Sequence, residues 1–320
     1  MKLSSLFRRS RSGSASPVST LEVTDSLGRQ LSVSEREWRT KVLPRALRDQ
    51  WNDPEQLYTT LFDALGRGWH AEVLDAARHF ASIDSDGSRG VCIYAVALIE
   101  SGRPYDAENI LLEYLGRAGE NGHALSALAK AYRAQGKEDQ ADETLLRGLQ
   151  VDPNQEQGTI ALYASRLRER RGPQAEIEGM RRVAAVAGSW RPQLWLARLA
   201  LEAGQLEHGV SLYREALLNA GKPVPAELLL QMSGDLGLKG HSTTSLELTR
   251  PHFDVAAHGI QVGNNLIKSL LAVGDSAAAR AILRDLHNCQ RPDWAQILDH
   301  WEQQLSKAEQ AVASASRSTE

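Results

Sequence analysis

The sequence predicts an all-α protein built from repeated helix hairpins. Helix-forming Ala, Leu, Arg, Glu and Gln are abundant, whereas aromatic residues make up 6% of the 320 residues and only 11 are Pro. β-Branched residues are sparse outside residues 21–33. Glycine also recurs at intervals of 34 or 36 residues, or twice 34, at Gly68, Gly102, Gly136, Gly204, Gly240 and Gly274. Such a period is typical of an array in which each unit buries its apolar face against its neighbours.

Three kinds of structure are expected before the repeats begin. Residues 1–20 are basic and rich in Ser, and they predict a disordered tail. Residues 21–33 alternate apolar and polar side chains on either side of Asp25–Gly28, which predicts a small β-hairpin. Ser34 followed by Glu37 forms a capping box that starts a helix, and Pro44 ends or kinks it. Residues 21–53 are therefore expected to form a β-hairpin and an N-terminal capping helix.

Seven repeat units account for residues 54–293. They start at Pro54, Ser88, Gly122, Glu156, Trp190, Ala226 and Ile260. In each unit a Gly is expected to end the first helix, and a small residue five positions later lets the second helix lie close against it. The fourth unit has Arg170 in place of Gly, and Gly172-Pro173 predicts a turn displaced by about two residues.

A closing helix is predicted over residues 294–312. Trp294, Ile297, Leu298, Trp301 and Leu305 recur at helical spacing, so they would cover the apolar face of the last repeat. Residues 313–320 are expected to form a tail.

The third unit carries the clearest resemblance to a known family. Large, small and turn residues stand in the pattern of a tetratricopeptide repeat (TPR) at Leu125, Leu128, Ala129, Tyr132, Gly136, Ala141, Leu145, Gly148 and Pro153. The resemblance implies a right-handed superhelical solenoid. It also implies that positions near 2, 5, 9, 12 and 13 of each unit line a concave groove on the first helices.

Reading those positions gives a candidate partner-binding groove in which bases outnumber acids. The candidate residues are Arg89, His123, Ser126, Lys130, Arg133, Ile160, Leu167, Arg168, Arg191, Leu194, Arg198, Asn264 and Lys268. Four of these bases (Lys130, Arg133, Arg168 and Arg198) are expected to repel one another on one surface, with apolar contact from Ile160, Leu167 and Leu194. The expected partner is another protein with an acidic or amphipathic segment.

Several classes of function are disfavoured by the sequence. No phosphate-binding loop, HExxH, CxxC or GxSxG pattern occurs, so no catalytic residue, cofactor or metal site is expected. A net charge of −3 gives no reason to expect a specific nucleic acid, and no apolar run is long enough to span a membrane. Two cysteines and the lack of a secretion signal indicate a cytoplasmic protein.

The favoured hypothesis is a non-catalytic interaction scaffold that binds a partner segment in its groove. An RNA-binding helical-repeat protein and a regulatory subunit of an enzyme complex are the alternatives. Self-association is left open.

Overall fold

The computed structural model describes residues 20–24 and 30–317. The tail predicted at residues 1–20 lies outside the described residues except for Thr20, and so does the predicted turn Asp25–Gly28. Two strands, β1 (Thr20–Thr24) and β2 (Gln30–Ser34), pair antiparallel, with Leu21 opposite Val33.

The segment that precedes the repeats is helical but not uniform. The Ser34 hydroxyl accepts a hydrogen bond from the Glu37 amide at 3.2 Å, as the capping box predicts. Helix α1 (Glu35–Glu37) passes through a π-helical turn (Trp38–Val42) into α2 (Leu43–Asp49). Pro44 lies in the first turn of α2, where it has no amide hydrogen to donate, so the irregular turn falls immediately before it.

Consecutive helix hairpins make up most of the described chain, which confirms the all-α fold class. The seven hairpins of the described part are α3 (Pro54–Gly66) with α4 (His70–Ile83), α5 (Gly87–Glu100) with α6 (Pro104–Ala118), α7 (Gly122–Ala134) with α8 (Glu138–Val151), α9 (Gln157–Arg171) with α10 (Pro173–Ala184), α11 (Arg191–Glu202) with α12 (Leu206–Asn219), α13 (Ala226–Leu238) with α14 (Ser242–Thr249), and α15 (Val255–Ala272) with α16 (Ser276–Asn288).

The chain divides into two compact units, Met1–Gly179 and Met180–Glu320. The first unit is centred on a cluster of buried side chains that includes Leu57, Phe80 and Ile93. The second unit has one cluster around Tyr213, Leu228 and Met232 and another around Ile267, Leu283 and Leu305. Each core lies between the helices of neighbouring hairpins, as expected for an array whose units cannot bury their apolar faces alone.

The fourth hairpin has its turn where Gly172 allows it. Helix α9 continues through Arg170 to Arg171, and Gly172 adopts a left-handed conformation with φ of 91°. The Arg170 guanidinium donates to Asp139 at 2.8 Å and also pairs with Asp142 on α8. These ion pairs hold the Arg170 side chain at a repeat position that is a turn glycine in the six other units.

A long helix follows the last hairpin. A 3-10 turn (Pro292–Trp294) leads into α17 (Ala295–Arg317), and Leu298, Trp301 and Leu305 are buried against the second cluster of the second unit. Helix α17 extends past residue 312, where the sequence analysis ended it, because no Gly or Pro interrupts residues 312–317.

Candidate functional site

Most of the predicted groove bases of the first unit form ion pairs within the chain. Arg89 donates to Asp84 at 2.7 Å and to Glu55 at 2.6 Å, and its guanidinium lies 4.8 Å from the centre of the Tyr58 ring. The hydrogen bonds to Asp84 and Glu55 raise the pKa of Arg89. Arg89 therefore joins the loop before α5 to the first hairpin.

Lys130 is buried with only 7% of its surface exposed, and its Nζ lies 2.6 Å from Glu100 Oε1. Burial lowers the pKa of Lys130, which the attraction of Glu100 opposes. Burial acts to raise the pKa of Glu100, but the charge and hydrogen bond of Lys130, together with the charges of His70 and Arg133, hold that pKa below its usual range. Arg133 is half-buried, and its charge acts on the same pair.

The remaining candidates in the first unit also make internal contacts. Arg168 pairs with the buried Glu176 at 2.5 Å, and the buried Ser126 hydroxyl donates to Gln155 at 2.8 Å. His123 is half-buried at the start of α7. Ile160 and Leu167 lie in the core, so the expectation that they offer apolar contact to a partner is wrong. Both side chains pack between helices, because the face of α9 that they occupy is covered.

The predicted bases at the start of the second unit also form ion pairs. Arg191 pairs with Glu227 at 2.6 Å, and Arg198 pairs with Asp235 at 3.1 Å. Leu194 is fully buried and cannot contact a partner. Three of the four bases expected to repel one another (Lys130, Arg168 and Arg198) are thus each paired with a carboxylate. The expectation of a bare basic surface is wrong.

A groove does lie along the first helices of hairpins six and seven, where Asn264 and Lys268 were predicted. It consists of two hollows that share Asn265. The hollow of about 660 Å³ is lined by Leu230, Ile260, Gln261, Asn264, Asn265, Gln296, Ile297 and His300. The hollow of about 790 Å³ is lined by Ser233, Gly234, Gly237, Leu238, Gly240, His241, Ser242, Thr243, Thr244, Asn265, Lys268, Ser269, Ala272 and Val273. We call these residues together the α13–α15 groove.

Amide side chains give this groove its hydrogen-bonding character. Asn265 Nδ2 donates to Ser233 Oγ at 2.9 Å and to the Leu230 carbonyl at 3.3 Å, which fixes the amide between α13 and α15. Asn264 Oδ1 accepts from Trp301 Nε1 at 2.7 Å, so α17 orients it. In the described part of the chain, the Asn264 nitrogen and the Asn265 oxygen have no hydrogen-bond partner. Each remains able to bind a peptide backbone.

Small residues keep the groove open. A Cβ added to Gly237 would meet no atom within 4 Å, so close packing does not require a glycine there. Glycine lowers the stability of a helix by about 0.5–1 kcal/mol relative to alanine. A helical glycine that close packing does not require is therefore unusual. Next to it, Leu238 is 82% exposed. The groove therefore combines open space, amides and exposed apolar side chains.

Lys268 is the cation of this groove, and among the described residues it forms no ion pair. Sequence reasoning missed Gly234, Gly237 and Leu238, although the same repeat positions applied to the weakly matching sixth unit would have selected them. Sequence reasoning could not have found Gln296, Ile297 and His300, because they belong to α17 and come next to α15 only in the folded unit.

Features of other functional classes are not found in the described residues. They contain no group of three or more His, Cys, Asp or Glu side chains placed to hold a metal ion. None of the described helices is long and apolar enough to cross a membrane. Burial raises the pKa of the Cys92 thiol to about 12, which makes it a poor nucleophile.

Comparison with known proteins finds one kind of repeat in two parts of the chain. Models of the tetratricopeptide repeat match residues 98–164 and 262–285. A chain in the crystal structure of the APC/C hetero-tetramer Cut9-Hcn1 is similar at 15% sequence identity and a TM-score of 0.36, over 77% of this chain and 49% of that chain. This chain thus spans about half the length of that one. No curated protein matches the sequence. The chain therefore contains tetratricopeptide repeats at residues 98–164 and 262–285, and such repeats serve in general as protein-interaction scaffolds.

Proposed function

We propose that the chain is a non-catalytic scaffold that binds an extended segment of another protein in the α13–α15 groove. The observation that carries the proposal is an open, amide-lined groove at two predicted partner-binding positions, Asn264 and Lys268. Most of the predicted bases elsewhere form internal ion pairs, which makes this surface the better candidate.

The dimensions of the groove suit a short peptide. From Gln261 to Ala272 the helix α15 rises about 17 Å, at about 1.5 Å per residue. An extended chain advances about 3.3 Å per residue, so about five residues would lie along it. Asn264 and Asn265 would bond the peptide backbone, and the exposed Ile297 and Leu238 would contact apolar side chains at its two ends.

Lys268 sets the charge preference that we propose. One unpaired cation favours a carboxylate on the bound segment, which makes an amphipathic segment with one or two acids the expected ligand. A strongly basic groove with stacked aromatic side chains would be expected for single-stranded RNA, and the α13–α15 groove has neither.

A glycine substitution tests the proposal with the full chain. Gly237→Gln places a side chain in the larger hollow without a clash, since no atom lies within 4 Å of the new Cβ. The matched control is Gly116→Gln, at another helical glycine with nothing within 4 Å, on α6 outside the groove. A displayed library of random peptides is selected on the unchanged chain, and the affinities of the selected peptides are then measured by fluorescence anisotropy.

We expect Gly237→Gln to weaken the selected peptides by about tenfold or more, a change of about 1.4 kcal/mol, while Gly116→Gln leaves them unchanged. Equal binding to both variants would contradict the groove as the binding site. A failure to select any peptide, together with tight salt-dependent binding of labelled single-stranded RNA, would instead support the RNA-binding alternative.

A further inference from the structure

A second hollow lies on the other set of helices in the second unit. It is formed by the end of α12, the loop after it and the end of α14, and it has a volume of about 480 Å³. Its apolar floor comes from Leu217 and the buried Leu248, and Leu218 stands at its edge with 83% of its surface exposed. We call it the α12–α14 hollow. It is distinct from the α13–α15 groove, which shares none of its residues.

The short length of α14 explains why the hollow exists. Helix α14 has 8 residues, whereas the second helices of the flanking hairpins, α12 and α16, have 14 and 13. Pro251 ends α14, because proline has no amide hydrogen to donate to the preceding turn, and the chain continues through a 3-10 turn (Arg250–His252). A helix of ordinary length would continue beside the last turn of α12 and cover Leu218.

Basic side chains dominate the edge of the hollow. Arg214, Lys222 and His252 line it, against a single acidic residue, Glu247. In the described part of the chain none of these four side chains forms an ion pair. This differs from the groove predicted on the first helices, where most bases are neutralised by carboxylates of the chain itself. The unneutralised charge is therefore available to a ligand.

We propose that the α12–α14 hollow binds a leucine or similar apolar side chain of a partner protein, in a segment where acidic residues flank that side chain. A single exposed leucine is ordinary on a protein surface. An exposed leucine beside an apolar hollow with a basic edge is a docking surface, and charge complementarity selects an acidic segment. The bound segment would occupy the volume that the missing turns of α14 leave open.

This surface would act independently of the α13–α15 groove. The two surfaces lie on different helices of the second unit, so one chain can hold two segments at once. A scaffold with two separate binding surfaces joins two partners, or two segments of one partner, with a gain in overall affinity that neither surface has alone.

The test uses the full chain and defined synthetic peptides. One peptide has a central Leu-Leu pair flanked by Asp and Glu, a second has Lys in place of the acids, and a third keeps the acids but has Gly in place of Leu. Binding is followed by NMR of methyl-labelled leucines, which reports the position of contact as well as the affinity. We expect the acidic leucine peptide to shift the methyl signals of Leu217, Leu218 and Leu248, and the other two peptides to have little effect.

A variant of the hollow and a control elsewhere locate the site, and a third variant tests the charge argument. Leu218→Asp should weaken the acidic leucine peptide by about tenfold or more, because it removes the apolar contact and adds a repelling charge. Leu112→Asp, at an exposed leucine on α6 that lies in neither surface, should leave the affinity unchanged. Lys222→Glu should weaken binding and reduce its dependence on salt. Circular dichroism checks that each variant remains folded.

Several results would overturn the proposal. Equal shifts with the lysine peptide would remove the charge argument, and shifts confined to Leu230 and Leu238 would place the peptide in the groove. Absence of any shift at millimolar peptide would exclude the site. A concentration-dependent dimer that Leu218→Asp dissociates in sedimentation experiments would assign the hollow to a second copy of this chain.

Discussion

Two lysines at the ninth position of their repeat units show how much the surroundings of one repeat position can differ between units. Lys130, in the third unit, is buried and paired with Glu100. Lys268, in the seventh unit, is exposed in the α13–α15 groove and has no ion pair in the described part of the chain. The difference arises because α5 supplies the Glu100 carboxylate opposite Lys130, whereas α13 presents glycines opposite Lys268.

The two lysines should respond differently to alanine. Lys130→Ala removes the partner of Glu100 and leaves a space in the core, so we expect the free energy of unfolding to fall by about 1–3 kcal/mol. Lys268→Ala removes an exposed charge and should change it by less than about 0.5 kcal/mol. Urea denaturation followed by circular dichroism measures both. Equal effects would mean that the Lys130–Glu100 pair does not contribute to folding.

This contrast also changes the expectation for the four predicted groove bases. Mutual repulsion would make their joint replacement harmless to the fold. The structure predicts instead that replacing Lys130, Arg133, Arg168 and Arg198 together destabilises the protein, because Lys130 and Arg168 each pair with a carboxylate that is wholly or partly buried.

Within the third hairpin, helices α7 and α8 approach each other closely. A Cβ on Gly148 would lie 3.0 Å from the Gly122 carbonyl oxygen and 3.2 Å from Leu125 Cβ. Both neighbours are held in place, one by the backbone and the other by the core. The small residues expected from the repeat pattern therefore have a direct steric role here, and buried Ala141 at the start of α8 has the same role.

Alanine substitutions separate packing from helix propensity. Gly148→Ala should lower the free energy of unfolding by about 1–3 kcal/mol, because it overpacks the contact with α7. Gly116→Ala, at a helical glycine with open space around it, should raise it by about 0.5–1 kcal/mol through better helix propensity. Thermal denaturation of the two variants makes the comparison. Stabilisation by Gly148→Ala would show that α7 and α8 are not in close contact.

On the scale of the whole chain, each compact unit must cover its own apolar surfaces. In the second unit α17 does this for the last hairpin, with Leu298, Trp301 and Leu305 buried against α15 and α16. Helix α17 also contributes Gln296, Ile297 and His300 to the α13–α15 groove. One helix thus serves both stability and the candidate site.

Removal of α17 should therefore have a large effect. Deleting residues 295–317 exposes apolar side chains that each contribute about 1.5–3 kcal/mol on burial, and we expect a lower melting temperature and aggregation. Deleting residues 1–19 instead removes a polar, basic segment and serves as the control. Light scattering at increasing temperature compares the two proteins. Equal solubility of both deletions would mean that α17 does not cover the last hairpin.

The sequence by itself determined the all-α class, the hairpin repeat and the capping box at Ser34. These depend on local chemistry: helix propensity, glycine at left-handed turns and apolar spacing. It also predicted the displaced turn at Gly172, since a Gly-Pro pair ends a helix whatever surrounds it. Repeat spacing brought Asn264 and Lys268 into the candidate groove.

The tertiary structure alone decided which predicted site residues remain available. Arg89, Lys130, Arg168, Arg191 and Arg198 pair with carboxylates, and three of these partners lie about one repeat away. The repeat period brings such positions near one another, but only the packed helices decide which side chains meet. Burial of Ile160, Leu167 and Leu194 likewise depends on how neighbouring helices cover them. The α12–α14 hollow appears only once the short α14 is packed against α12, because a missing helical turn becomes a cavity only when its neighbours are in place.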